Sequence, residues 1–103
     1  MGVPVILTPQ AQEDLAGIVR RIAQDNPVRA RSFGHELIDR ALALGAFPEL
    51  GRRVPEVGDP AVREIIHGSY RIIYERFRDP AAVFVLRFWH AARGTPDIRH
   101  RIA

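Results

Sequence analysis

Residues 63–74 read Arg-Glu-Ile-Ile-His-Gly-Ser-Tyr-Arg-Ile-Ile-Tyr, and this stretch decides the fold class of the chain. Two runs rich in β-branched and aromatic side chains flank Gly68-Ser69, a pair short enough to form the loop of a β-hairpin. A third run follows after another short connection, so we predict three neighbouring antiparallel strands. The three predicted strands are 62–67, 70–77 and 83–89.

Upstream of these strands the sequence changes to helical patterning. Thr8-Pro9 and Asn26-Pro27 each place a capping side chain before a proline, which is a typical helix start. We expect the first helix to end near Asp25 and the two helices to pack as an antiparallel hairpin. The apolar face of the first helix comprises Ala11, Leu15, Ile18, Val19 and Ile22, and that of the second comprises Ala30, Phe33, Leu37, Ile38, Ala41 and Leu44.

The order of these segments predicts an α+β fold. A short strand at 3–7 precedes the helical hairpin, and a short edge strand is possible at 52–56, where Pro55 weakens it. The helices should cover one face of an antiparallel sheet of three to four strands. We predict one domain over 1–103, with a loosely ordered tail at 94–103.

The basic residues of the chain are all arginine. There are 15 basic side chains, no cysteine and a net charge of +3. Residues 1–51 hold 5 arginines and 6 acidic residues, whereas residues 52–103 hold 10 and 6, so the second half carries the positive charge. Disulfides and thiolate metal sites are excluded, a lysine base is excluded, and guanidinium groups suit phosphate or carboxylate partners.

The sequence favours a cytoplasmic location. No run approaches the roughly 18 apolar residues that a membrane span needs. Residues 1–7 have no basic segment and are too short for a signal peptide. We expect no membrane association, no cofactor and no metal site.

Several short motifs follow one another along the chain, at 7–15, Asp25-Asn26-Pro27, 47–52, 63–65, 70–74 and 85–93. Taken in order, they resemble the RelE/ParE superfamily of toxins from type II toxin–antitoxin modules. The resemblance covers nearly the whole chain, with the closer likeness on the ParE-like side. RelE-like toxins are ribosome-dependent mRNA endonucleases, and ParE-like toxins inhibit DNA gyrase.

The nuclease branch would assign four catalytic residues. Arg71 matches the active-site arginine of the family's Tyr-Arg-Ile-Ile-Tyr strand and would stabilise charge on the phosphate. His90 and Arg93 lie where RelE-like toxins keep catalytic groups, and His90 could act as acid or base. Glu64 could serve as the base for the attacking hydroxyl.

Each of these residues also has a structural interpretation. Arg71 could pair with Glu64 or Glu75 on the sheet. Glu64 could be an exposed glutamate in a solvated pair with Arg63. His90 could cap the end of its strand.

The absence of certain residue types favours the ParE-like branch. Lysines, on which RelE relies, are absent from the chain. Many nuclease members carry a tyrosine close to the C-terminus, whereas the only aromatic side chains after Trp89 here are His90 and His100. Trp89 is expected in the core. We therefore predict a gyrase-binding toxin that is not an enzyme. The alternatives are a metal-independent mRNA endonuclease and an inactive member that only binds its antitoxin.

The resemblance also implies partners and a role in plasmid stabilisation. The antitoxin would be ParD-like, with a ribbon-helix-helix domain and a C-terminal segment that wraps the toxin. The toxin would contact operator DNA only indirectly, through the antitoxin. The target would be gyrase or, alternatively, the ribosome with mRNA. The residues expected to contact antitoxin or target are Arg63, Arg71, Arg87, His90, Arg93, Val19 and Ile22.

Overall fold

The computed structural model describes residues 2–98 and forms one sheet covered by two helices. The sheet has five strands in the order β1-β5-β4-β3-β2, with β1 parallel to β5 and the other pairs antiparallel. The predicted α+β architecture is confirmed, and β1 joins the same sheet. The elements are β1 Val5–Leu7, α1 Pro9–Ala23, α2 Pro27–Ala43, β2 Arg52–Arg53, β3 Val62–His67, β4 Tyr70–Arg78, β5 Ala81–His90 and a 3-10 helix Ala91–Arg93.

Both helices begin at the predicted capping residues. The Thr8 hydroxyl accepts a hydrogen bond from the Ala11 backbone N–H at 3.2 Å, and the Asn26 side chain accepts one from Arg29 at 3.0 Å. Each cap satisfies a backbone donor that the first helical turn leaves free. Helix α1 ends at Ala23, close to the predicted end at Asp25. Neither helix in residues 2–98 is long and apolar enough to cross a membrane.

The sheet has an apolar core on each face. The larger core lies under the helices, where β4 contributes Tyr70, Ile72 and Tyr74. The smaller core lies on the opposite face, where Ile73 and Trp89 pack. Side chains alternate between the two faces along β4, and Trp89 is buried as expected. The smaller core comprises Val54, Val62, Ile73, Leu86 and Trp89, with Val57, Phe84 and Ile98 packed against it.

A β-bulge between β4 and β5 sets which way the end of β5 faces. Ile73 pairs with Arg87 but Tyr74 pairs with Val85, so β5 carries one extra residue at this point. An extra residue reverses the alternation of side chains beyond it. Phe88 therefore packs on the helix side although Leu86 packs on the opposite side. The bulge brings His90 to the same face as Tyr70, its partner on β4.

The segment 94–98 packs against the sheet, unlike the loose tail expected from Gly94 onward. The Trp89 indole N–H donates to the Gly94 carbonyl at 3.1 Å, and Arg87 donates to the Asp97 carbonyl at 2.6 Å. Pro96 is buried. The rest of the expected tail, 99–103, lies outside the described residues.

Candidate functional site

Arg71 lies in a buried ion network on the face of the sheet opposite the helices. Its Nε donates to Glu64 at 2.6 Å, and its two terminal nitrogens donate to the two carboxylate oxygens of Glu56 at 3.0 and 2.8 Å. The residue is 8% exposed. All three guanidinium nitrogens are engaged by carboxylates. Arg71 therefore pairs with Glu64, one of the two partners expected from its structural interpretation, and also with Glu56, which was not expected.

Glu64 is the centre of this network, so the expectation of an exposed, solvated pair with Arg63 was wrong. Glu64 is 1% exposed, and its second carboxylate oxygen accepts from Arg52 Nε at 2.8 Å. The expectation failed because the small core on this face and the segment after β2 remove the carboxylate from water. A buried charge requires pairing, and two arginines provide it.

The network shifts the ionisation of its members. Hydrogen bonds from Arg71 hold the pKa of the Glu56 carboxyl below its usual value. The hydrogen bonds to Glu56 and then Glu64 raise the pKa of Arg71 above its usual value. Two arginines and two glutamates (Arg52, Arg71, Glu56 and Glu64) make the cluster electrically neutral. A cluster without net charge offers little attraction to a phosphate.

Arg87 has a similar structural environment at the edge of the sheet. It forms a bidentate ion pair with Asp14 of α1 at 2.7 and 2.9 Å, and the hydrogen bonds to this carboxylate raise the pKa of Arg87. The same Asp14 carboxylate accepts the Phe88 backbone N–H at 3.1 Å. Strand β1 pairs with β5 only as far as Val85. Asp14 therefore provides an acceptor for the edge of β5 where β1 no longer covers it.

A polar cleft lies between α1 and the ends of β4 and β5, on the helix side of the sheet. It has a volume of about 220 Å³. Tyr70 accepts a hydrogen bond from an Arg21 terminal nitrogen at 2.8 Å, and the His90 ring packs edge-on against Tyr70 at 5.0 Å. Of the predicted site residues, the structure brings His90 and Arg93 together here. The lining residues are Glu13, Asp14, Gly17, Ile18, Arg21, Tyr70, Phe88, His90 and Arg93.

The cations of this cleft are available for binding. Within residues 2–98, neither Arg21 nor Arg93 forms an ion pair with a carboxylate, and both are exposed. The Arg93 guanidinium stacks on the Trp89 ring, with its Cζ 3.8 Å from the ring centroid. His90 Nδ1 accepts the Ala92 N–H at 3.1 Å, so the proton of the neutral ring lies on Nε2. The cleft can bind an anion or exchange a proton.

The other predicted contact residues lie elsewhere. Arg63 donates to the Gly51 carbonyl at 2.8 Å near the outer end of β3. Val19 and Ile22 are half-buried on α1, and Ile22 packs on the larger core. Val19 lies against Gly34 of α2, where an added Cβ would be 3.0 Å away. The structure does not bring these three residues to the cleft.

Sequence reasoning missed part of the cleft. Asp14, Gly17 and Arg21 recur at i, i+3 and i+7 on α1, so they form a stripe beside the apolar face. That periodicity was a usable signal. The place of Tyr70 opposite His90 gave no comparable signal, because it depends on the register of β4 and β5 and on the bulge.

Comparison with solved structures defines the class of this fold. The chromosomal ParDE toxin–antitoxin system from P. aeruginosa matches with a TM-score of 0.71 and 16% identity, over 85% of this chain and 95% of that chain. The toxin–antitoxin complex RelBE2 from Mycobacterium tuberculosis matches with a TM-score of 0.64 and 20% identity, over 87% and 99%. At these identities the likeness shows a shared RelE/ParE-like fold.

The family follows from the sequence profile. Residues 5–94 match the family described as ParE toxin of type II toxin-antitoxin system, parDE. The chain therefore belongs to the ParE toxin family, within the RelE/ParE superfamily, as its motifs predicted. A search of curated proteins gives no match.

Proposed function

We propose that this chain is a growth-inhibiting toxin that binds DNA gyrase and is neutralised by a cognate antitoxin. The pairing of Arg71 with two carboxylates is the observation that favours gyrase over mRNA as the target. A nuclease needs the guanidinium of this strand to face a phosphate. Here Glu56 and Glu64 engage every nitrogen of that guanidinium, which is itself buried within an electrically neutral cluster.

Binding to gyrase requires exposed, unpaired groups, and the polar cleft provides them. Arg21 and Arg93 present charges at its rim, with His90 and Tyr70 between the strands and α1. Exposed arginines of this kind suit carboxylates on a protein surface. Because both proposed targets, gyrase and alternatively the ribosome, are cytoplasmic, the proposed location of the protein is the cytoplasm.

The antitoxin is proposed to be ParD-like, with a segment that orders on the toxin. A helix of that segment would lie on the helical hairpin, where Val19 and Ile22 are half-buried and offer apolar surface. An acidic segment would complement the arginines of this chain. Operator DNA would be contacted through the antitoxin.

Two assays on the free protein test the choice of target. The first measures gyrase supercoiling with trapping of the cleavage complex, and the second measures mRNA cleavage on translating ribosomes. We expect inhibition of supercoiling and intact mRNA. Cleaved mRNA with unaffected gyrase would overturn the proposal. Activity in neither assay would indicate a member that only binds its antitoxin.

One observation favours the endonuclease as a second candidate. The cleft gathers His90, Glu13, Arg21 and Arg93, which together provide acid, base and phosphate-binding groups for cleavage without a metal. On this hypothesis the catalytic centre lies on the helix side of the sheet, away from Arg71.

The ribosome assay also tests this second candidate. If the cleft is catalytic, His90→Ala should reduce mRNA cleavage at least about 100-fold, as loss of a general acid or base does. Arg71→Ala serves as the comparison, because it alters the network on the opposite face. Cleavage that depends on Arg71 but not on His90 would exclude the cleft as its centre.

A further inference from the structure

The turn between α2 and β2 presents two large apolar side chains to solvent. Phe47 is 66% exposed and Leu50 is 62% exposed. Single exposed apolar residues are common, whereas contiguous exposed apolar patches mark interaction surfaces. The same turn, 47–52, is one of the sequence motifs, and neither the cleft nor the Arg71 network uses its apolar side chains.

The turn is held in place by buried hydrogen bonds. The Tyr74 hydroxyl donates to the Pro48 carbonyl at 2.8 Å and accepts the Gly51 N–H at 2.9 Å. Arg63 donates to the Gly51 carbonyl at 2.8 Å. A Cβ on Gly51 would lie 2.6 Å from the Glu64 carbonyl oxygen, so the backbone must approach the sheet at this point. The fixed turn presents its apolar side chains at little entropic cost on binding.

An apolar cavity adjoins the turn. Its volume is about 330 Å³, which accommodates a large apolar side chain. Val3 and Phe77 form part of its wall, and Pro48 connects it to the turn. The surface therefore combines two protruding apolar residues with a recess. The lining residues are Val3, Pro48, Glu49, Arg76, Phe77, Arg78 and Ala81.

Positive charge exceeds negative charge around this recess. The Glu49 carboxylate lies 3.5 Å from Arg63, 2.8 Å from Arg76 and 3.1 Å from Arg78. One carboxylate thus serves three guanidinium groups. The Nε atoms of Arg63 and Arg76 are buried without a hydrogen-bond partner among residues 2–98. Among these arginines the Arg78 side chain is 73% exposed, so its guanidinium can pair with a further carboxylate.

The geometry points to a docking surface for an acidic amphipathic segment of the antitoxin. We define this turn surface by Phe47, Leu50, Arg76, Arg78 and the recess beside them. An apolar side chain of the segment enters the recess, and flanking carboxylates pair with the arginines that share Glu49. This inference rests on the proposed function, because it takes an antitoxin as the partner.

Titration calorimetry with the cognate antitoxin, the product of the adjacent reading frame, tests the turn surface. We expect Phe47→Ser/Leu50→Ser to weaken binding at least about 10-fold, since truncating apolar anchors has this effect. Glu49→Gln keeps the shape but removes the competing carboxylate, so we expect binding about 3-fold tighter. Ile66→Thr, at another exposed apolar residue, is the control and should bind like the wild type.

The outcomes separate this inference from the proposed function. Unchanged affinity of the double variant would overturn the docking surface, and unchanged or weaker binding of Glu49→Gln would overturn its acidic partner. Loss of gyrase inhibition by the double variant with normal antitoxin affinity would assign the surface to the target instead. No binding by the wild type would remove the antitoxin premise itself.

A second measurement uses the unmodified protein and does not depend on how the variants fold. Hydrogen–deuterium exchange should slow at residues 47–50 and 76–81 when the antitoxin binds. Absence of this protection in a saturated complex would overturn the docking surface.

Discussion

At the residue scale, the arginines of this protein fall into two groups with opposite environments. Arg71 and Arg87 are both buried. Two different carboxylates pair with Arg71, whereas one carboxylate forms a bidentate ion pair with Arg87. Arg21 and Arg93 are exposed at the cleft. A buried, paired guanidinium orders the structure around it, whereas an exposed one keeps its charge for a partner.

Removing Arg71 should therefore reduce stability. In Arg71→Ala the Glu64 carboxylate keeps only Arg52, and we expect the free energy of unfolding to fall by about 3 kcal/mol. Urea denaturation measures this. Arg78→Ala removes an exposed arginine paired with Glu49 and should change stability by less than about 0.5 kcal/mol. Equal losses in the two variants would contradict the role of the network.

The contribution of Glu56 should depend on pH. Its pKa in the folded protein is lowered by the hydrogen bonds from Arg71, so its ion pair stabilises the fold above the unfolded pKa of about 4.3. That contribution is lost as the pH falls through the folded pKa. Glu56→Gln should thus be less stable than the wild type at pH 7, and the difference should shrink below about pH 4. Thermal unfolding from pH 2 to 7 measures it, and a constant difference would contradict it.

At the element scale, short interactions complete edges and turns that the regular elements leave open. Asp14 provides an acceptor for β5 beyond the end of β1. Tyr74 anchors the turn at Pro48 and Gly51 from the middle of β4. In both cases a side chain from a distant element satisfies backbone groups that would otherwise be buried without partners.

Asp14→Ala tests the completed edge of β5. It removes the acceptor of Phe88 N–H and leaves Arg87 with the Asp97 carbonyl. We expect a loss of about 3 kcal/mol in the free energy of unfolding and faster hydrogen exchange at Phe88. Glu13→Ala, at the exposed neighbouring position, is the control. Unchanged exchange at Phe88 would argue that another group protects this edge.

At the scale of the whole molecule, the Arg71 network and the polar cleft lie on different faces of the sheet. Arg71 and Glu64 are buried on one face, and the cleft opens on the helix side. The second half of the chain carries the excess positive charge, yet the strand arginines at its centre are neutralised. The available charge therefore lies at the rims of the sheet.

This division predicts a variant that folds normally but does not act. Arg21→Gln/Arg93→Gln should alter the free energy of unfolding by about 1 kcal/mol or less, yet weaken the proposed inhibition of gyrase at least about 10-fold. Supercoiling assays measure the loss. Arg20→Gln/Arg31→Gln has the same net charge and serves as the control. A similar loss in both double variants would indicate a general charge effect instead of a site.

Much of the fold could be predicted because local signals agree with it. The Thr8 and Asn26 caps, the apolar face of each helix and the Gly68-Ser69 loop each act within a few residues of their own position. The parallel pairing of β1 with β5 could not be predicted in this way, because the two strands are far apart in the chain.

The candidate site was only partly predictable. His90 and Arg93 lie in the cleft, but Arg21, Glu13 and Tyr70 were missed. Glu64 was assigned to solvent, although it is buried. Burial depends on which distant segments cover a strand, and a strand's own sequence does not contain that information.

The sequence by itself determined the element order, the ends of the helices, the alternation along β4 and the toxin family. These properties depend on local backbone preferences and on short motifs. Only the tertiary structure decided which arginines are paired, which face His90 occupies beyond the bulge and how the 47–52 turn is anchored. The physical reason is that electrostatic pairing and solvent exposure arise between residues far apart in sequence, once the sheet and helices pack.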